Sequence, residues 1–369
     1  MNKDLLSLIV PTRNRSEYLH RLLSYYADCD FKCPILIGDS SSEEECLRIQ
    51  RSVQFFSRKL HVNHQILPSD CGIYEATRRL AEATSTPYIV LLADDDLLVP
   101  CGLEAAVDFL ETHPDYSAAH GMAGLITLSS TGPYGPVEWI VPYPRHSMEQ
   151  STASLRLARH LDCHQSLAFS VQRRQAVLTS LQEAVALGLD LEFSELFTGS
   201  MSAIWGKTKN LDCLYLMRQA HGQMTSVRGR GVFGWITSAT ASVQYRRFRD
   251  ACARELVHCE RVSLEEAQES VKKAFWSYLA TTLEIKWHWF YGLKQWRKPP
   301  PWRRWIGKLP GARTIRRKIN EIRPRKADEI SLLSLLRNSC RYHADFMPIY
   351  RIMTTPMLES DLVHAGSRS

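Results

Sequence analysis

Pro87-Tyr88-Ile89-Val90-Leu91-Leu92-Ala93-Asp94-Asp95-Asp96 is an apolar run that ends in three carboxylates. A run rich in Ile, Val and Leu and closed by a polar cluster predicts a strand buried on both faces. The acids then stand at the strand's carboxyl end, the edge of an open α/β sheet where ligands bind. Adjacent carboxylates repel one another, and a divalent cation relieves the repulsion by supplying positive charge. The plainer alternative is a helix start, with Asp96 capping a helix near Gly102 to Leu110 and the other two acids solvated.

Working outward, Leu6 to Pro11, Pro34 to Asp39 and His61 to Leu67 have the composition of short strands. Helically spaced apolar residues follow each of them: Leu19, Leu22, Leu23 and Tyr26; Cys46, Ile49, Val53 and Phe56; and a helix over Ile73 to Thr84. Such alternation is the pattern of βαβ units in a mostly parallel sheet with right-handed crossovers. After the acids the pattern loosens. Tyr116 to Leu128 and Val137 to Pro142 predict strands around a Ser-Ser-Thr-Gly-Pro-Tyr-Gly-Pro turn, and hence a mixed sheet. Ser154 to Leu161, Arg174 to Leu187 and Leu191 to Ile204 predict helices, with short strands at Ser166 to Val171 and Leu211 to Met217. Ser263-Leu264-Glu265-Glu266 is a capping box that opens a long helix, and Pro299-Pro300-Pro301 breaks any helix that reaches it.

A chain of 369 residues, 44% of them apolar, has room for about two folded domains. Its ten cysteines include no Cys-x-x-Cys pair and no histidine at zinc-finger spacing, so reduced thiols and a cytoplasmic chain are expected. No apolar run reaches bilayer-crossing length, and the start lacks a cleavage-like site. The net charge of +7 is uneven: Ile285 to Lys326 carries fourteen Lys and Arg against the single acid Glu321, or +13, leaving −6 elsewhere. Trp287, Trp289, Tyr291, Trp296, Trp302 and Trp305 interleave with these cations. That mixture suits an anionic membrane surface and predicts a peripheral attachment to the inner membrane. A solvated or oligomer-forming segment is the alternative; no helix-turn-helix, zinc or RNP-like pattern points to nucleic acid.

Pro11-Thr12-Arg13-Asn14-Arg15, Gly38-Asp39-Ser40-Ser41, Asp70-Cys71-Gly72 and Asp94-Asp95-Asp96, in this order, resemble the nucleotide-binding half of family 2 glycosyltransferases. The likeness covers the first third of the chain. It implies an α/β GT-A fold, a Rossmann-like mixed sheet of the nucleotide-diphospho-sugar transferase type, over residues 1–229, with a mainly helical C-terminal region over 230–369. It further implies transfer of a sugar, with inversion, from a nucleoside diphosphate donor, a UDP-sugar above others, to a glycan or lipid-linked acceptor. Mg2+ or Mn2+ would stabilise the leaving diphosphate.

By the same resemblance, Asp96 is the direct metal ligand, Asp94 lies nearer the ribose or the metal's water shell, and His221 completes the shell or touches the phosphates. Asp95, the middle acid, joins the donor pocket with Pro11, Thr12, Arg13 and Asp70, while Asp39 hydrogen-bonds the base and Arg78 or Arg79 meets the phosphates. Inverting transfer also needs a carboxylate to take the acceptor's proton. Glu195, Glu192 and Asp190 are the candidates in that order, the family's Glu-Asp pair being absent. Each has a structural alternative: an Asx-turn for Asp39, a solvated helix face for Arg78, a structural histidine at His221, and acids favoured by a helix's positive end at 190–195. The rival function is a catalytically inactive glycan or nucleotide-sugar binding protein recruited to a membrane surface.

Overall fold

In the computed structural model, residues 4–222, 231–290 and 330–355 are described. β1 (Leu6–Thr12), β2 (Ile35–Asp39), β3 (Val62–Ile66) and β4 (Tyr88–Leu91) form the parallel half of the sheet, in the order β3-β2-β1-β4. Between them α1 (Ser16–Asp28), α2 (Glu43–Phe56) and α3 (Ile73–Ala83) provide the crossovers. Leu6, Leu8, Val10, Ile35, Ile37 and Val90 are fully buried, which is why β1, β2 and β4 read as apolar runs, whereas β3 is partly exposed. β4 is central because β1 covers one edge and β8 (Val171–Arg173), antiparallel, the other.

Beyond β8 the sheet continues through β6 (Tyr116–Leu128) and β9 (Lys207–Ala220) to β5 (Leu97–Leu98), while β7 (Val137–Tyr143) lies antiparallel on β6. The expected mixed sheet is therefore present, with two differences. Residues 166–170 are a turn, closed by Ser170 N–H on the Leu167 carbonyl at 2.9 Å, and the strand starts only at Val171. Buried Arg145 is the cause: it donates to the Ser166 carbonyl and the Ser170 hydroxyl, both at 2.8 Å, satisfying groups that a strand would have paired. β9 also runs well beyond Leu211 to Met217, because its polar start pairs in parallel with β6, with Lys207 and Lys209 balanced by Asp115 and Glu149.

α4 (Pro100–Thr112) opens with Pro100 in its first turn and Val99 at its cap. Asp96 is not the capping residue, so the helix-start alternative for the three acids fails. α5 (Ala153–Asp162), α6 (Arg174–Ala186) and α7 (Leu191–Trp205) follow the predicted positions, then α8 (Gly231–Ile236), α9 (Ala241–Glu260) and α10 (Leu264–Phe290), opened by its capping box.

The hydrophobic interior has two main parts. One lies along the sheet; the other gathers Leu157, Phe193, Phe197, Trp235, Phe248 and Phe275 from α5 and α7 to α10. Helices on both sides of residue 229 thus share one core. α11 (Leu332–Leu335) and α12 (His343–Thr354) belong to the other: Ile330, Leu335, Phe346 and Met353 are buried in the sheet's core, and Gly135 N–H donates to the Met353 carbonyl at 2.8 Å. Most of the basic aromatic stretch, residues 291–329, lies outside the described residues. No described helix is long and apolar enough to cross a membrane.

Candidate active site

β5 decides where the three acids go. Leu97 pairs with Met217 and Leu98 with Leu216, antiparallel, so the residues just before Leu97 face those just after Met217. Asp96 meets Arg218 and Gln219, and Asp95 meets His221. Two remote stretches thereby become one corner at the carboxyl ends of β1 and β4, the ligand edge of such a sheet.

Each acid has a different set of partners. Asp94 accepts the Thr12 hydroxyl at 2.8 Å and Arg15 Nη1 at 2.9 Å. The same nitrogen bridges to Asp95 Oδ2 at 2.8 Å, where His221 Nε2 also lies at 2.8 Å. Asp96, 1% exposed, uses both oxygens: Arg218 Nε on Oδ2 at 2.9 Å and Gln219 N–H on Oδ1 at 3.1 Å. Burial, aided by the Asp95 charge, raises the carboxyl of Asp94 to about 6; burial raises Asp96 to about 6 against the pull of Arg218. Burial pushes Asp95 the same way, but the His221 hydrogen bond and the Arg15 charge outweigh it and hold Asp95 below its ordinary value.

Beneath the corner lies fully buried Arg21, which donates to the Asp95 carbonyl and the Pro133 carbonyl, both at 2.6 Å, and to Gln219 Oε1. Burial lowers its pKa. The Tyr18 ring stacks on His221 with centroids 5.1 Å apart. Arg218 lies over the Phe169 ring at 4.6 Å and donates to the Tyr143 hydroxyl at 3.1 Å.

The loop after β1 is set by Asn14, whose φ of 54° is a left-handed conformation that Asn tolerates better than most residues. Its backbone N–H donates to Ser41 Oγ, and its side-chain oxygen accepts Ser42 N–H, both at 2.8 Å, locking this loop to the turn after β2. Asp39 sits in that turn. Its Oδ1 accepts Ser41 N–H at 2.9 Å, the Asx-turn foreseen, and its Oδ2 lies 3.1 Å from His64 Nε2. Burial opposes its charge, but these hydrogen bonds prevail and hold the carboxyl below its ordinary value. Pro11 pairs in register with Gly38, whereas Arg13 and Asp70 are exposed. Arg78 is engaged along its own helix by Glu75 and Glu82.

The three candidate bases stand apart from the aspartates. Asp190 caps α7, its Oδ1 accepting Phe193 N–H at 2.9 Å. Glu192 and Glu195 are half-buried near Tyr74, which opens α3, and Tyr278 of α10. Burial first, then the Glu195 charge, raises the Tyr278 phenol to about 12, while burial lowers His164 against the pull of Glu195. Among the described residues, no hydrogen bond or ion pair ties these glutamates to Asp94–Asp96. They share an edge with them all the same: α3 follows parallel β3, so its first turn, with Tyr74, lies at the strands' carboxyl ends.

Arg15, Arg21, Arg218, Gln219 and Tyr18 are site residues that spacing alone did not assign. Arg15 closes the Pro-Thr-Arg-Asn-Arg motif, and Arg21 is a charge in the middle of a helix's buried face, so both left a signal.

A Rossmann-like mixed sheet with an acidic cluster at the end of its fourth strand, and helices packed beyond it, defines a GT-A fold. Residues 7–157 match the model of glycosyl transferase family 2. No curated protein matches by sequence. Among solved structures, S. aureus TarS 1–349 in complex with UDP-GlcNAc is similar, with 15% identity, a TM-score of 0.50, and coverage of 94% of this chain and 89% of that one. The crystal structure of TarS 1–349 shows 16% identity, a TM-score of 0.48 and the same coverage. At such identity the likeness concerns the fold alone.

Proposed function

We propose that the protein transfers a sugar, with inversion, from a nucleoside diphosphate donor, a UDP-sugar, to a glycan or lipid-linked acceptor. The observation that carries this is the corner where Asp94, Asp95, Arg15, Arg218 and His221 converge at the sheet's ligand edge. A pocket holding both signs of charge suits a donor whose diphosphate is anionic and whose ribose offers hydroxyls. A TarS structure holding UDP-GlcNAc supports the choice of donor.

The donor set fits Mg2+ or Mn2+: carboxylate oxygens with one imidazole, the Asp95 oxygen and His221 nitrogen facing each other at 2.8 Å. Asp95 and His221, with Asp94 beside them, would hold the ion. Asp96, expected as the direct ligand, stands next to them and also holds Arg218 through Oδ2. A bound ion would offset the charge gathering on the leaving diphosphate.

The chain's own groups do the rest. Arg15 and Arg218 place positive charge beside the diphosphate, and Asp39 with Thr12 and Pro11 shapes the base end of the pocket. Glu195, or Glu192 one turn earlier, takes the acceptor hydroxyl's proton as its oxygen bonds to the anomeric carbon and the bond from that carbon to the phosphate oxygen breaks. Inner-face attachment to an anionic membrane through the basic aromatic segment would bring lipid-linked acceptors within reach.

Calorimetry with UDP and GDP, each with and without Mn2+, tests the donor half: Mn2+-dependent UDP binding is expected in the wild type and not in Asp95→Ala. Glu195→Gln tests the chemistry, with turnover reduced about 10²- to 10⁴-fold while UDP binding persists. Unchanged turnover would move the base to Glu192; no turnover in the wild type, with UDP binding intact, would favour the inactive binding protein.

A further inference from the structure

A second group of ligand-type side chains lies at the end of β2. Asp39, Cys46 near the start of α2 and His64 in β3 bring a carboxylate oxygen, a sulfur and a ring nitrogen within 4.8 Å of one another. They come from three elements, which the parallel pairing of β2 and β3 and the turn into α2 hold together. The Asp39 side chain is fully buried, that of His64 is 9% exposed, and Cys46 is 8% exposed.

The geometry is close to that of a tetrahedral ion site. With metal–N and metal–O legs of about 2.0–2.1 Å, the tetrahedral N···O edge is about 3.3 Å, and a sulfur at about 2.3 Å stands about 3.5 Å from each. The His64 Nε2 to Asp39 Oδ2 edge is 3.1 Å, so two ligands are already at working separation. The sulfur needs to close by about 1.3 Å at most. Ser41 N–H on Asp39 Oδ1 at 2.9 Å fixes the carboxylate, as the outer contacts of metal ligands do. One sulfur, one imidazole and one carboxylate are too soft a set for Mg2+ and suit zinc.

We propose that Asp39, Cys46 and His64 bind one divalent ion of the zinc class, with a fourth position open to water. The site differs in donors and place from the harder corner at Asp95 and His221. It shares Asp39 with the base pocket. On the reading of Asp39 given under Proposed function, which this consequence rests on, ion and donor base compete for one carboxylate, and zinc inhibits donor binding.

The test is titration of the full chain with Co2+ under a reductant that does not bind metal. The expected result is a thiolate-to-cobalt charge-transfer band that saturates at one equivalent and is reversed by Zn2+. Cys46→Ser should abolish the band, and His64→Ala should weaken cobalt binding about tenfold or more. Melting of the metal-free variants checks that they fold, and Cys46→Ala replaces Cys46→Ser if the latter does not. Absence of the band in the wild type, or its persistence after Cys46 is replaced, overturns the proposal. Excess UDP with Mg2+ should raise the Co2+ concentration needed for half-saturation. Cobalt binding indifferent to UDP would overturn the base-pocket role of Asp39 and leave the metal site standing.

Discussion

Asp94, Asp95 and Asp96 are adjacent, yet their partners give them different work. Asp95→Asn removes the carboxylate paired with His221 and should weaken Mn2+-dependent UDP binding tenfold or more, about 1.4 kcal/mol, by calorimetry. Asp96→Asn should act on stability instead. It leaves Arg218 without its charged partner, and breaking a fully buried pair costs about 3–5 kcal/mol. Arg218 is still 21% exposed, so a smaller loss, about 2–3 kcal/mol, is expected in urea unfolding. Sequence marked all three acids but not this division of labour, because Arg15, Arg218 and His221 reach them from far along the chain. Cys46 and His64 went unpaired for the same reason: zinc spacing is a local pattern, and their meeting with Asp39 is not.

Elements were more legible than site contacts. The buried strands of the parallel half and the crossover helices follow from apolar runs and helical spacing, which local chemistry dictates. The turn at 166–170 and the length of β9 did not follow, because a buried arginine and a neighbouring strand settle them. Two substitutions probe this scale. Gly206 lies where β9 starts beside β6, and a Cβ there would stand 2.6 Å from Ser117 N, so Gly206→Ala should cost about 1–3 kcal/mol in denaturant unfolding. Asp190→Ala removes the cap of α7 and should cost about 1 kcal/mol with turnover kept, which separates a cap from a base.

Across the whole molecule, two cores tie remote parts of the chain together. Helices from both sides of residue 229 fill one, and residues 330–355 return to the other. Phe346→Ala, at a fully buried position in α12, should therefore destabilise the sheet core by about 3–5 kcal/mol, read as a lower unfolding midpoint and weaker UDP binding together. By itself the sequence determined the alternation of strand and helix, the acids at a strand's end and the family motifs around them, because apolar periodicity and turn chemistry act over a few residues. Only the tertiary structure decided which acid meets His221, which is braced by Arg218, and which helices share a core. Those outcomes depend on desolvation and on charges brought together from distant positions, and neither exists until the chain has folded.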